Sequence, residues 1–256
     1  MPSLIITYIR SAVFNILFYL IILISLVVSH LLQFFMTRKQ HFALGKSWAK
    51  IQNFLLEKIT KTSFQIEGLE NLPKGKCIIA AEHQAFWDTF ALWPWLEDPT
   101  FILKHTILWI PLVRSYCKKQ KMIGINRKKK HTVMKKIIKR SQEAMNDNRQ
   151  LVIYPEGTRR IPEAKPVYKK GISYIYDSLQ VPVIPIVMNF GLFWPRRSLI
   201  RYPGKFKVRI LPPIPPNMSK DVFFIQLKKT MEYESNRLLL ETIKDNPHIP
   251  FKKLSK

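Results

Sequence analysis

Three stretches of the chain carry side chains able to move a proton or hold an anion. In Ala80-Ala-Glu-His-Gln-Ala-Phe-Trp-Asp-Thr89, His83 precedes Asp88 by five residues. On a regular helix that spacing turns the two apart by about 140°, so they cannot share a face. They meet if His83 sits in the loop leaving a strand and Asp88 lies in the first helical turn after it, its carboxylate reaching back. Asp88 would then fix one imidazole tautomer and favour the charged form, leaving the other nitrogen free as a general base; a purely capping Asp88 is the structural alternative. In Leu151-Val-Ile-Tyr-Pro-Glu-Gly-Thr-Arg159 a buried strand stops at Pro155, and Glu156, Gly157, Thr158 and Arg159 follow at the carboxyl end, where open α/β sheets place ligands. Gly157 permits close backbone approach, Thr158 is a small donor and Arg159 can grip a phosphate with two donors. Glu156 suits a phosphate site only if it orients an arginine or a hydroxyl. In Lys121-Met-Ile-Gly-Ile-Asn-Arg127 a strand ends at Arg127, a second phosphate fork, with Gly124 leaving room for something to approach the backbone. Lys104 is a further candidate phosphate contact, with a solvated surface lysine as the other reading.

The elements that must position these residues alternate. Short apolar runs at Ser63–Glu67, Cys77–Ala81, Thr100–Leu103, Met122–Asn126, Gln150–Tyr154, Val181–Met188 and Lys205–Leu211 read as strands. Helices are expected over Trp87–Leu96, Ile107–Lys118, Lys128–Met145, Tyr168–Leu179 and Asp221–Asp245. The alternation predicts an α/β fold with a mixed, largely parallel sheet flanked by helices. Val181-Pro-Val-Ile-Pro-Ile-Val-Met188 holds two prolines that cannot donate to a ladder, and reads as an edge, a bulged strand or a strand entering a site.

The 256 residues hold 42 Lys+Arg against 17 Asp+Glu, a net +25 that calls for anionic partners. Arg10 is the one charged side chain before Arg38, so residues 38–256 keep 41 basic and 17 acidic groups, or +24. Ser11 to Thr37 is uncharged and mostly apolar. That run is longer than the core of a cleaved signal peptide and ends in Gln33, Phe34, Phe35, Met36 without a small-residue cleavage site. It reads as a hydrophobic helical membrane anchor, either spanning or seated in one leaflet. Basic residues crowd its far flank, which predicts a cytoplasmic body on the inner membrane. Residues 42–61 form an amphipathic helix that either faces the core or lies on anionic lipid. The chain thus divides into an anchor with interfacial helix, 1–61, and a catalytic domain, 62–256. Two cysteines, Cys77 and Cys117, imply a reducing compartment, no disulfide framework and no structural metal. A membrane-anchored polyanion binder is a reading from another class. No helix-turn-helix, zinc spacing or aromatic-basic strand motif supports nucleic acid as a partner.

Taken in order, these motifs resemble the glycerolipid acyltransferase superfamily, specifically the bacterial 1-acyl-sn-glycerol-3-phosphate (lysophosphatidic acid) acyltransferases. The family's H-x4-D, strand-ending Arg, E-G-T-R and V-P-x-[IV]-P fall on His83/Asp88, Arg127, Glu156 to Arg159 and Val181–Ile186. The likeness continues through Phe101–Lys104, Trp109–Pro111, Tyr168–Gly171, Gly191–Arg197 and Leu211–Pro215. Glu82 departs from the usual Asn or Lys, Ala85 from Ser, Gly124 from Pro and Asn126 from Asp. The resemblance implies transfer of a fatty acyl group from acyl-CoA or acyl-carrier protein to the sn-2 hydroxyl of lysophosphatidic acid, giving phosphatidic acid, with no cofactor. His83 and Asp88 would be catalytic, and Arg127 and Glu156 to Arg159 would hold the acceptor phosphate. Oxyanion donors are expected among backbone N–H groups near Gly157. A lyso-aminolipid is the competing acceptor.

Overall fold

The computed structural model describes residues 4–126, 130–162, 164 and 167–250. Seven strands form one sheet in the order β1-β7-β6-β2-β5-β3-β4. They are β1 (Thr62–Glu67), β2 (Cys77–Ala81), β3 (Pro99–Lys104), β4 (Ile123–Ile125), β5 (Gln150–Ile153), β6 (Val183–Met188) and β7 (Gly204–Ile210). Neighbours run parallel except β6 and β7, so β1 and β7 run opposite to the other five. The sheet is mixed and largely parallel, as the alternation predicts. β2 and β5 are buried along their whole length, which accounts for their unbroken apolar runs.

The proline-rich run corrects one expectation. β6 is not an edge: it lies inside the sheet between β7 and β2. Pro182 precedes the strand, and Pro185 is accommodated because the ladder to β7 begins only at Ile186↔Ile210. On that side the Pro185 carbonyl accepts the Leu211 N–H, and Val183 pairs with Ile214 beyond the gap. A missing donor costs little where the partner strand has already left the ladder.

Five helices pack around this sheet beside a sixth at the N-terminus. They are α1 (Leu4–Leu32), α2 (Arg38–Leu55), α3 (Pro111–Lys119), α4 (Lys130–Asn146), α5 (Gly171–Leu179) and α6 (Lys220–Asp245). The segment Trp87–Leu96, expected to be one helix, is two 3₁₀ turns, Trp87–Thr89 and Trp93–Trp95, the second holding Pro94, which lacks the N–H a continuing helix needs. α3 likewise starts late, at Pro111, after a 3₁₀ turn His105–Trp109.

α1 and α2 form a hairpin opened by a capping box: Gln40 N–H donates to Thr37 Oγ1, and Gln40 Oε1 accepts the Thr37 N–H. α2 turns His41, Phe42, Gly45, Ala49 and Gln52 inward and leaves Ile51 and Phe54 exposed, so it faces the core while keeping an outer apolar edge. Phe14, Phe18, Ala49 and Leu56 belong to the same core as Ile79, Trp87 and Phe206 of the body. Polar side chains fasten α1 at both ends. Arg201 is buried, donates from Nη2 to Asn15 Oδ1 (2.7 Å) and stacks 3.7 Å over Trp194, while Ser11 Oγ accepts the Arg201 N–H (2.8 Å). Further along, His30 Nδ1 and Gln33 Nε2 bond Ser115 of α3 at 2.8 and 2.6 Å.

A buried guanidinium stripped of an acceptor is costly. Asn15→Leu is expected to lower stability by about 2–3 kcal/mol, read as an earlier midpoint in chemical denaturation of the detergent-held protein. An unchanged midpoint would show that this pair does not hold α1 to the body.

Candidate active site

The parallel strands β2, β5 and β6 end at one edge of the sheet, and the motifs leave from there. β2 stops at Ala81, so Glu82 and His83 enter the loop, and the 3₁₀ turn Trp87–Thr89 carries Asp88 back toward it. Asp88 Oδ2 accepts the main-chain N–H groups of Gln84 (2.5 Å) and Ala85 (2.7 Å) and faces His83 Nδ1 at 3.3 Å. The carboxylate is fully buried and the imidazole mostly so. With Nδ1–H directed at Asp88, Nε2 would keep its lone pair, the arrangement a general base needs; the 3.3 Å separation suits a site that tightens around substrate. Asp88 does not cap a helix: its carboxylate reaches back to the loop and faces the imidazole.

Tyr154 completes the setting, and sequence reasoning did not single it out. Its ring stacks on His83 at 4.3 Å and 24°, and its hydroxyl donates to the Asp88 carbonyl (2.9 Å). It stands directly after β5, the position from which a side chain reaches the neighbouring strand's exit.

The loop after β5 supports His83 through the main chain. Arg160 N–H donates to the His83 carbonyl (2.7 Å), and Glu156 Oε1 accepts the His83 N–H (3.4 Å). Glu156 is buried, which corrects its assignment as a phosphate contact: it stands behind the base. Gly157 has φ +70°, the left-handed conformation that excludes most side chains, and its N–H donates to the Tyr154 carbonyl, so that N–H is committed to the turn and is not an oxyanion donor. Thr158 and Arg159 are exposed at the loop tip, and the Arg159 carbonyl accepts from Arg196 Nη1 (3.3 Å). Lys104 ends β3, exposed and level with the motif but two strands away, about 10 Å across a sheet spaced ~4.8 Å per strand. Arg127 lies outside the described residues. Gly124 makes room for Leu108, whose Cδ1 lies 2.6 Å from where a Cβ would stand, so its use is packing.

Two cavities reach residues next to His83, which itself lines neither. One, of about 250 Å³, is lined by Gln84, Arg160, Gly191, Arg196 and Arg197. Gln84 Oε1 accepts the Gly191 N–H (3.0 Å), and a Cβ at Gly191 would strike Pro162 at 2.8 Å, so this wall closes only around glycine. No carboxylate lines it, which makes it a place for an anion. The other, of about 410 Å³, is almost wholly apolar and runs from Tyr154, Phe86 and Thr89 to Trp48, Trp93 and the inner face of α1. Arg160 was legible only as part of a basic chain, and Arg196 and Arg197 only as the end of the family-like stretch Gly191–Arg197, with no role given to them. Among the described residues no group of three or more His, Cys, Asp or Glu is placed to hold a metal.

Residues 63–189 match the acyltransferase family. A 1-acyl-sn-glycerol-3-phosphate acyltransferase of Pseudomonas aeruginosa is 29% identical over 79% of this chain and 80% of its own. The human 1-acyl-sn-glycerol-3-phosphate acyltransferase beta is 27% identical over 59% of this chain, which spans 56% of that protein. The crystal structure of the Thermotoga maritima 1-acyl-sn-glycerophosphate acyltransferase PlsC superposes with a TM-score of 0.73 at 22% identity, over 90% of this chain and 97% of the other.

Glu82, the departure before the histidine, is buried and its Oε2 accepts the Met188 N–H (2.9 Å). Burial raises its carboxyl from 4.5 to about 7, with Asp88 adding to the rise and Arg160 opposing it. Burial and then the Glu82 charge raise Glu156 to about 8. Carboxyls raised on folding bind protons more tightly folded than unfolded, so their contribution is fully present below about 4.5 and is lost as pH climbs through about 7 and about 8. Glu82→Gln keeps an acceptor for Met188 and removes the charge. Its melting temperature should exceed the parent's at pH about 8, the gap closing toward pH about 4.5; a gap constant with pH would count against a buried ionisable pair.

Proposed function

We propose that the chain, whose residues 63–189 match the acyltransferase family, moves a fatty acyl group from an acyl thioester to the sn-2 hydroxyl of 1-acyl-glycerol-3-phosphate, giving phosphatidic acid. The observation that carries this reading is the loop that holds His83: Phe86 and the stacked Tyr154 line an apolar cavity suited to a hydrocarbon chain, and Gln84 lines an arginine-bearing cavity suited to a phosphate.

Nε2 of His83 takes the hydroxyl proton as the acceptor oxygen attacks the thioester carbonyl. Asp88 stabilises the imidazolium that forms. Collapse of the tetrahedral intermediate breaks the C–S bond, and the departing thiolate takes the proton back from His83. The described structure places no Ser or Cys nucleophile in a bond to His83, which supports direct transfer without an acyl-enzyme. Arg160, Arg196 and Arg197, with Arg159 at the rim, receive the acceptor phosphate, an anion of about −1.5 to −2 by analogy with other phosphomonoesters. Arg127 stays a proposed phosphate contact on the strength of its motif. The thioester is a co-substrate and no cofactor is invoked. An acidic carrier protein or the phosphates of coenzyme A would both meet a basic surface.

The body is proposed to sit on the cytoplasmic face of the inner membrane. α1 is long and apolar enough to cross a bilayer, yet it is tied to the body from Ser11 to Gln33. That length is about 33 Å at ~1.5 Å per residue. A helix fastened along its side to a polar body cannot cross the hydrocarbon without taking that body with it, so α1 is seated in one leaflet with its outer apolar face in lipid.

A labelled acyl-thioester assay of the detergent-held protein against a panel of lyso-lipids tests the assignment. His83→Ala should fold and lose about 10²–10⁴ in turnover, and wild-type turnover in it would sink the mechanism. Charge reversal at Arg160 and Arg196 together should raise the acceptor KM about 10-fold or more, as expected on losing charge-assisted bonds, and leave the donor KM little changed. Preference for an acceptor without a phosphomonoester would favour the lyso-aminolipid reading.

A further inference from the structure

We propose that the segment His105–Ile110 is a second membrane-inserting element, built into the catalytic body, and that it completes the lipid-facing surface begun by α1. Trp109 is 72% exposed and Ile110 55%. The turn beneath them is not loose. Leu108 points inward and packs over Gly124 of β4 at a distance that leaves no space for a Cβ. An inward anchor with two large apolar side chains held outward is costly in water and is the arrangement a bilayer would stabilise.

Its neighbours identify the occupant. Ser115, one turn into α3, is bonded by both His30 and Gln33, which brings the end of α1 against the helix that Trp109 and Ile110 precede. The exposed apolar residues at that end, Leu31, Phe34 and Phe35, continue the surface. The apolar cavity opens here too: Ile24 and Val28 of α1 and Ile107 of the turn line it and are at the same time exposed. Between Asp98 and Glu143 the chain has no acidic residue, and Lys104, Arg114 and Lys118 stand exposed around the turn. Apolar side chains led by a tryptophan and rimmed by cations match the interface of an anionic bilayer. A soluble protein partner would offer no counterpart to the continuity with α1. The consequence for function rests on the acyltransferase reading: a lipid chain could pass between α1 and the turn into the cavity without crossing water.

Insertion can be read without catalysis. Full-length protein is mixed with phosphatidylcholine vesicles containing phosphatidylglycerol and brominated acyl chains, and indole fluorescence is compared with that of Trp109→Phe. Bromine should quench the parent, and the quenched component should be largely lost in Trp109→Phe; equal quenching in the two would overturn the proposal. A Trp109→Asp/Ile110→Asp protein should bind these vesicles about 10-fold more weakly and retain turnover on detergent-dispersed acceptor. Unchanged vesicle binding would equally refute insertion. Quenching at Trp109 in a protein with no acyltransferase activity in either assay would instead overturn the functional reading and leave the inserted turn standing.

Discussion

The site depends on one buried carboxylate. Among the described residues no arginine or lysine pairs with Asp88; two main-chain N–H groups and the imidazole gather on Oδ2, while the buried Oδ1 has no hydrogen-bond partner. Those bonds fold the five-residue spacing into a loop, so the geometry that sets the histidine and the interaction that stabilises the aspartate are the same thing. An uncharged acceptor could keep part of the loop, but it would lose the field that favours the imidazolium. Tyr154 reinforces this from the neighbouring strand, covering the ring while its hydroxyl bonds the main chain of Asp88. Base and orienter are thus both fixed by β5 as well as by β2.

Behind that pair lies a layer of opposite character. Glu82 bonds the end of β6 and Glu156 bonds the His83 main chain, so the two carboxyls link three strand exits. They are close enough for the Glu82 charge to raise Glu156, and at neutral pH the pair is expected to retain a proton. This chain thus meets the glutamate after β5 with another acid, Glu82, directly before the histidine. Arg160 is the cation acting on both, and it also lines the anion cavity. Its guanidinium therefore stands between an acidic cradle and the place where a phosphate would arrive.

How much of this could be read from the residues follows physical lines. The seven strands were legible for two reasons: inner strands such as β2 and β5 are short, buried and bounded by turns, and β1 and β7 alternate apolar with polar residues. The position of the proline-rich strand was not, because the gap that tolerates Pro185 is made by a strand that follows it in sequence. His83 and Asp88 were legible as a pair because their spacing excludes a shared helix face. Tyr154 was hidden, since an aromatic at a strand end reads as packing until the neighbouring loop is in place. Arg160 was hidden among 42 basic residues, and Arg196 and Arg197, though inside the family-like stretch Gly191–Arg197, had no visible role, because only a cavity distinguishes a ligand from a solvated charge. Gly124 was rightly noticed as a point of close approach, but what approaches is a leucine.

The polar residues within α1 bear on what a membrane segment can be. Ser11, Asn15, Ser29 and His30 would each be costly in hydrocarbon without a partner, and each has one in the body, in α2 or in α3. Their presence marks the face of α1 that lies on protein, and the long uninterrupted apolar positions mark the face that does not. Hydropathy averaged along the chain cannot separate these, because it counts both faces together. The same division bears on the charge: the net +24 of residues 38–256 lies outside the apolar helix, on a body that would present its cations to any anionic surface against which that helix is seated.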